Sequence, residues 1–299
     1  MGNDTKYKSG FVSIVGRPNV GKSTLLNRIL GQKIAITSNK PQTTRNRILG
    51  IESRADGQIL FIDTPGIHRP TGKLNRYMVD QALQACRGVD LVFFLVEAME
   101  KPGGGDRFVL DILRQSGCKV FLVINKVDLV KRENLLPLID HYSKLHDFVE
   151  IVPISAATGE GVAPLIDTCM EYLPNGPRYY PDDMVTDLPE RFIVAEMVRE
   201  QLLLQTRDEI PYGVAVEVES FEEKMDKGLI VIGAVIHVER DAHKRIILGK
   251  NGSRIRAVGQ SARKEIESFL DSRVYLELFV HVQKNWTDSV GQLRRFGYE

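Results

Sequence analysis

Residues 16 to 23 read GRPNVGKS, the spacing of a phosphate-binding loop. An apolar run, Phe11 to Val15, precedes it, and a helical apolar pattern follows (Leu25, Leu26, Ile29, Leu30). Strand, glycine-rich loop and helix in that order let the backbone wrap around phosphate. The N–H groups from Gly16 through Asn19, Val20 and Gly21 to Thr24 and the helix N-terminus then face the anion. Lys22 can reach the β- and γ-phosphates, and the Ser23 hydroxyl can ligate Mg²⁺. These residues predict a nucleoside triphosphate site.

Three further motifs decide which nucleotide. Asp63-Thr64-Pro65-Gly66 follows the apolar run Ile59–Ile62, which puts a carboxylate at a strand's C-terminal edge, where ligands gather in parallel sheets. Asp63 there can hold Mg²⁺ through water, and the Gly66 N–H can bond the γ-phosphate. Asn125-Lys126-Val127-Asp128 ends the apolar run Val120–Ile124. The Asp128 carboxylate can accept from guanine N1–H and its exocyclic amine, and a buried carboxylate without those partners is costly, so guanine is favoured over adenine. Asn125 would tie the loop together while the stem of Lys126 lies over the base. Ser155 and Ala156, after an apolar run at 149–153, can present backbone N–H groups to guanine O6. Alone, the first of these is also a tight turn and the second a helix cap. Their order along the chain argues for one site.

Those motifs need a scaffold, and the chain has the pattern for one. It has 299 residues, 43% of them hydrophobic, and a net charge of +1, which suits one or two globular domains without a global polyanion-binding charge. Cys86, Cys118 and Cys169 are odd in number and widely spaced, against a disulfide framework and for a reducing, cytoplasmic setting. No apolar run is long enough for a membrane span, and Gly2 meets only part of a myristoylation pattern. Up to residue 173, strand-like runs at 11–15, 47–52, 58–62, 90–96, 119–124 and 149–153 alternate with amphipathic segments, the rhythm of a mainly parallel α/β sheet with helices on both faces. Stretches 31–46 and 66–71 read as loops beside the phosphate motifs. Prolines 174, 177, 181 and 189 with several acids predict a linker at 174–189.

From 190 to 299 the rhythm changes. A helix at 190–205 is expected to bury Phe192, Ile193, Ala195, Met197, Leu202, Leu203 and Leu204. Strands at 213–220 and 229–239 flank the charged turn FEEKMDKG, followed by a short helix, the GKNG element at Gly249, Lys250, Asn251 and Gly252, a helix at 253–270, a strand at 273–281 and a last helix. A GxxG loop between two helices is the clamp of a KH domain for nucleic-acid backbone. Between 240 and 264 stand eight Arg or Lys and one acid, on a segment 182–299 that sums to about −4. A basic stripe on an acidic domain predicts a directional RNA face, in which Lys250, Asn251, Arg254 and Arg256 lie against phosphate. Some of Ile246, Ile247 and Ile255 would floor the groove. His237, His243 and His281 lack ligand-like spacing, and Trp286 is expected to pack.

The nucleotide motifs together resemble the translation-factor-like P-loop GTPases. The whole chain after its first ten residues resembles the Era family of bacterial ribosome-assembly GTPases: GRPNVGKSTLLNRILG, QTTR, DTPGIH, NKVDL, SAATGEG, EIPYG, VIHVER and LRRFGYE all fit. The resemblance implies an α/β P-loop GTPase domain (1–173), a linker (174–189) and an α+β prokaryotic-type KH domain with a C-terminal helix (190–299). It places Pro41 to Arg45 in the first switch loop and makes Thr44 the magnesium-sensing threonine, with Thr43 its neighbour and competitor, so that Lys22, Thr44, Asp63 and Gly66 would carry catalysis. It further implies binding of the 3′ end of small-subunit ribosomal RNA, action on the 30S particle and peripheral membrane association. A monomer is favoured. Ile67 departs from the water-orienting glutamine that many GTPases place after this glycine, so intrinsic hydrolysis is expected to be slow, and Asn19 suggests a bound K⁺. Two alternatives stand beside this reading: an RNA-binding assembly factor with little turnover, and a membrane-associated cell-cycle switch.

Overall fold

The structure is a computed structural model that describes residues 7–40, 42–68, 72–206, 213–224, 226 and 228–298. Pro41, the end of the 66–71 loop, Glu209 to Tyr212 of the EIPYG stretch, Met225 and Lys227 of the charged turn, Gly2 and Glu299 lie outside those residues. The chain divides into two compact units. One comprises Met1–Ala35, Thr44–Pro70 and Met78–Asp187, the other Ile36–Thr43, Thr71–Tyr77 and Leu188–Glu299.

In the first unit, β1 (Lys8–Gly16), β3 (Gly57–Asp63), β4 (Leu91–Glu97), β5 (Lys119–Asn125) and β6 (Glu150–Pro153) run parallel, and β2 (Ile48–Arg54) pairs antiparallel with β3. The strand order is β2-β3-β1-β4-β5-β6. Every residue of β4 and all but the first of β5 is buried, as strands covered on both faces require. On one face Phe94, Val96, Leu122 and Ile124 pack with Ala82 of α2 (Lys73–Ala85), Leu110 of α3 (Gly104–Ser116), Tyr142 of α4 (Leu135–Ser143) and with Ile67. Helices α1 (Lys22–Leu30) and α5 (Val162–Tyr172) supply further buried residues, among them Leu25, Leu26, Leu165 and Ile166. All three cysteines are free, and burial pushes the thiols of Cys86 and Cys169 up to about 12.

The proline-rich stretch expected as a linker is strapped to this unit over most of its length. Ser9 N–H donates to the Pro174 carbonyl, the buried Gln58 amide holds the backbone of Tyr179 and Tyr180, and Ile51 N–H donates to Val185 O at 2.9 Å. These bonds satisfy backbone groups that the ladders leave unpaired, on Ser9 before the β1–β4 ladder begins and on Ile51 of the edge strand β2.

In the second unit β7 (Val214–Lys224) pairs antiparallel with β8 (Leu229–Val238), which pairs parallel with β9 (Arg273–Val282). Helices α6 (Glu190–Gln205), α7 (Asp241–Leu248) and α8 (Ser253–Leu270) cover the sheet through Ile193, Val194, Met197, Val198, Ile247, Val258 and Ile266. The first part of the charged turn, Phe221 to Lys224, is strand, because its ladder to β8 continues as far as Lys224 opposite Leu229. Leu204, placed on the buried stripe of α6, is exposed, lying at the last turn where the apolar face runs out. Trp286 is fully buried and donates Nε1–H to Gly213 O at 3.1 Å, just before α9 (Val290–Arg295).

Candidate nucleotide site and nucleic-acid groove

The turn from β1 into α1 depends on Gly21, which sits at φ +99° where an added Cβ would lie 2.3 Å from the Asn125 side chain. That side chain is a cross-link. Asn125 Nδ2 donates to Val20 O at 2.8 Å, and its Oδ1 accepts from Ala156 N–H at 2.9 Å, joining the phosphate loop, the end of β5 and the turn after β6. Ala156 N–H therefore serves the loop tie in this arrangement, and a guanine oxygen there has to share it. Lys126 Nζ donates to Asn19 O at 2.9 Å and pairs with Glu97 at 2.5 Å, which fixes its stem along the edge of the site. Asp128 is exposed, contrary to the expected buried carboxylate.

At the phosphate end, Lys22 is buried, and its Nζ donates to Arg17 O at 2.9 Å. Burial lowers its pKa to about 8, against the opposing pull of Asp63. Gly66 meets the loop so closely that a Cβ would stand 2.6 Å from Pro18 N, and Thr64 Oγ1 donates to Ile14 O at 2.8 Å. Pro65 is held between these two fixed neighbours. Thr24 lies in the first turn of α1, beside Ser23.

Three oxygens converge at the head of α1. Ser23 Oγ donates to Asp63 Oδ2 at 2.6 Å and lies 2.7 Å from Thr44 Oγ1, which itself reaches Asp63 Oδ2 at 3.5 Å. Asp63 Oδ1 is buried without a hydrogen-bond partner among the described residues. Burial drives this carboxyl up to about 6, with Lys22 and Ser23 pulling it back. An orphaned carboxylate oxygen beside two hydroxyls is a hard, all-oxygen donor set of the kind Mg²⁺ takes. Every residue assigned to magnesium is thus brought to one corner.

Two supporting residues escaped the sequence reading. Glu97 anchors Lys126, and Asp106 in the first turn of α3 holds Arg17 of the phosphate loop, Nε to Oδ1 at 2.9 Å. Glu97 had a signal, as an acid ending an otherwise apolar strand; Asp106 had none, because only the folded sheet brings α3 beside residue 17.

In the second unit the GKNG element turns between α7 and α8, with Gly249 (φ +69°), Asn251 (φ +52°) and Gly252 (φ +72°) in left-handed conformations. Next to it opens a groove of about 410 Å³ lined by Gly252 of the loop, by Arg256, Gly259, Gln260 and Arg263 of one α8 face and by Tyr275, Leu276 and Leu278 of β9. Gln260 and Tyr275 were missed; Gln260 lies four residues after Arg256 and three before Arg263, on one helical stripe, which could have revealed it. Lys250 and Asn251 are exposed on the loop. Arg254 commits Nη1 to Ile246 O at 2.8 Å, so part of its guanidinium closes α7 rather than facing a ligand. Ile247 is core, Ile246 is 42% exposed and Ile255 lines the groove.

Comparison with known proteins joins the two sites. A family model described as "50S ribosome-binding GTPase" matches residues 11–126, and one described as "KH domain" matches 209–287. GTPase Era of Geotalea uraniireducens is 55% identical over 296 residues, and that of Geobacter metallireducens 56%; each match covers 99% of both chains. This chain belongs to the Era family of GTPases. Solved Era structures agree with it throughout. Aquifex aeolicus Era bound to GDP·AlF4⁻ matches with a TM-score of 0.94 at 42% identity, covering 97% of this chain and 99% of its own. An Era complex with MgGDPNP and nucleotides 1506–1542 of 16S ribosomal RNA matches at 0.95 and 41%, covering 98% and 99%.

Two substitutions test the assignments. Asp128→Asn is expected to weaken GTP by about a hundredfold or more, since two hydrogen bonds to a charged acceptor are lost at ~1.5–3 kcal/mol each. It should also raise affinity for xanthine nucleotides, and competition binding reads both; retained guanine selectivity would overturn the base assignment. Gly252→Asp adds a negative charge where a Cβ meets nothing within 4 Å, at a φ that Asp tolerates. RNA binding should fall at least tenfold in a gel-shift titration while GTP binding and melting temperature hold.

Proposed function

We propose that this chain is a GTP-hydrolysing switch that binds the 3′ end of 16S ribosomal RNA and assists 30S subunit assembly. The observation that carries the reading is the pair of complete sites: Ser23, Thr44 and Asp63 set within 3.5 Å of one another, and a basic groove beside a left-handed GKNG turn. The description of the matched family model names the large subunit, but it spans only residues 11–126. The Era complex with 16S nucleotides matches 98% of the chain, KH portion included, and so bears more on the RNA partner.

In this reading Gly16 through Thr24 cradle the phosphates, Lys22 balances charge at the β- and γ-phosphates, and Asn125, Lys126, Asp128, Ser155 and Ala156 hold guanine. Ser23, Thr44 and Asp63 would hold Mg²⁺, Asp63 through water. Bound there, the ion neutralises the charge that develops on the transferred phosphoryl group. Thr44 and Gly66 report whether the third phosphate is present, and the loops they belong to relax once it leaves. Gly249, Lys250, Asn251, Gly252, Arg254 and Arg256 face the RNA backbone, and bases stack in the groove near Tyr275, which is 54% exposed. The functional division follows 1–173, 174–189 and 190–299.

Ile67 is fully buried and carries no polar group, so the attacking water is placed by other means. Asn19, exposed on the phosphate loop at φ +66°, supports a K⁺ ion in that role; GTP turnover should rise severalfold when K⁺ replaces Na⁺, and equal rates would exclude it. No helix of the described residues is long and apolar enough to cross a membrane. The proposal is a cytoplasmic monomer, with any membrane contact peripheral.

The test is binding of a short single-stranded RNA matching the 16S 3′ end, in apo, GDP and non-hydrolysable GTP-analogue states at fixed salt. Affinity at least tenfold higher in the triphosphate state is expected. Equal affinity in all three states would leave two independent modules on one chain.

A further inference from the structure

Three charged or polar residues in the middle of α6 are buried in succession: Arg199, Glu200 and Gln201. A buried charge must be paired and hydrogen-bonded, and two of these three find partners in the segment Ile36–Thr43, which belongs to the same compact unit. Glu200 Oε1 accepts from Thr37 N–H at 2.7 Å and lies 3.3 Å from Thr37 Oγ1. Arg199 Nη2 donates to the Thr43 carbonyl, and Lys40 Nζ donates to Thr206 O just past the end of α6. Glu196 neutralises Arg199 in a two-pronged pair, at 2.6 Å from Nε and 2.5 Å from Nη2. The helix thus grips both ends of a seven-residue stretch.

The next residue along the chain is Thr44, in the other unit, whose Oγ1 stands at the Ser23–Asp63 corner. The Thr43–Thr44 peptide bond therefore has its carbonyl oxygen fixed by Arg199 while the residue it leads into occupies the magnesium site. A carbonyl held by a charged donor restricts that peptide's rotation, and with it the placement of the following side chain.

We propose that Arg199, braced by Glu196, and Glu200 are positioning residues for nucleotide binding: they hold 37–43 so that Thr44 is presented to the metal and third phosphate. The inference rests on the assignment of Thr44 as the magnesium-sensing residue. It makes α6, rather than the proline-rich stretch before it, the element that positions the segment leading into Thr44. Linkage makes that influence reciprocal: whatever strengthens the grip on 37–43 favours the triphosphate complex, and triphosphate favours the grip.

The test compares full-length wild type with Arg199→Met, Arg199→Lys, Glu200→Ala and Thr44→Ala. Affinities are measured for fluorescent GDP and for a non-hydrolysable GTP analogue, both with Mg²⁺. Thr44 engages only when the third phosphate is present, so Arg199→Met should weaken the GTP analogue about tenfold or more, the scale of a lost hydrogen bond to a charged group, and leave GDP within about twofold. Arg199→Lys, which keeps a cationic donor, should restore most of the loss; a purely structural role would reduce both nucleotides together. Glu200→Ala leaves the Arg199–Glu196 pair in place and should show the same selective loss, which gives a reading even where Arg199→Met fails to fold. Selective loss in Thr44→Ala with equal or no losses in Arg199→Met and Glu200→Ala would overturn the inference alone. No selective loss in Thr44→Ala would overturn the Thr44 assignment and the inference with it.

Discussion

Everything in the nucleotide unit converges on a buried carboxylate. Asp63 ends β3 with no exposure to solvent, and burial raises its carboxyl to about 6. A charged group in that position is stable only with partners, and the fold supplies too few: Ser23 and Thr44 reach Oδ2, and Oδ1 is left over. The unmet demand is what suits the corner to a hard cation under the proposed function. It also explains why loops far apart in sequence assemble there, since Ser23 must arrive from α1 and Thr44 from the loop before β2 for Asp63 to be held at all.

Asn125 does for the base end what Asp63 does for the phosphate end. One amide side chain uses its donor on Val20 and its acceptor on Ala156, so three loops that share no sequence neighbourhood move as one. Lys126 adds a second tie, with Glu97 and Asn19 at its ammonium. Under the proposed function the end assigned to guanine is cross-linked in advance, whereas the phosphate end keeps an unmet carboxylate oxygen. That is the division of labour a switch requires: selectivity set in advance, with response reserved for the third phosphate.

The sequence made the strands and the motif residues legible because each depends on local pattern. Alternation and apolar runs mark strands to within a few residues, and glycines at fixed spacing mark turns that other residues cannot make. What it hid depends on long-range geometry. Asp106 reaches Arg17 only because α3 packs beside β1, and Glu200 reaches Thr37 across 163 residues of chain. Asp128 departs from the expected burial because it follows the buried end of β5 in a short surface turn, which a sequence motif does not reveal. The prolines of 174–189 predict a tether, but this one is recruited by polar groups of the sheet, the Ser9 and Ile51 N–H groups and the Gln58 side-chain amide.

Ile67 shows how a functional departure can be imposed by the core. Its N–H donates to Gly16 O at 3.0 Å, tying the residue after Gly66 to the end of β1. Its side chain is inside, packed with Val15, Phe94 and Ala82. A glutamine in that place, pointing the same way, would bury an amide without partners at a cost of ~1–3 kcal/mol; pointing outward, it would vacate a core position and leave a cavity. The water-orienting side chain is therefore absent for a packing reason, and regaining it would require the loop beyond Gly66 to leave the core. The side chain at 67 thus serves to seat the loop after Gly66 against the sheet, and under the proposed function the attacking water has to be placed by another group.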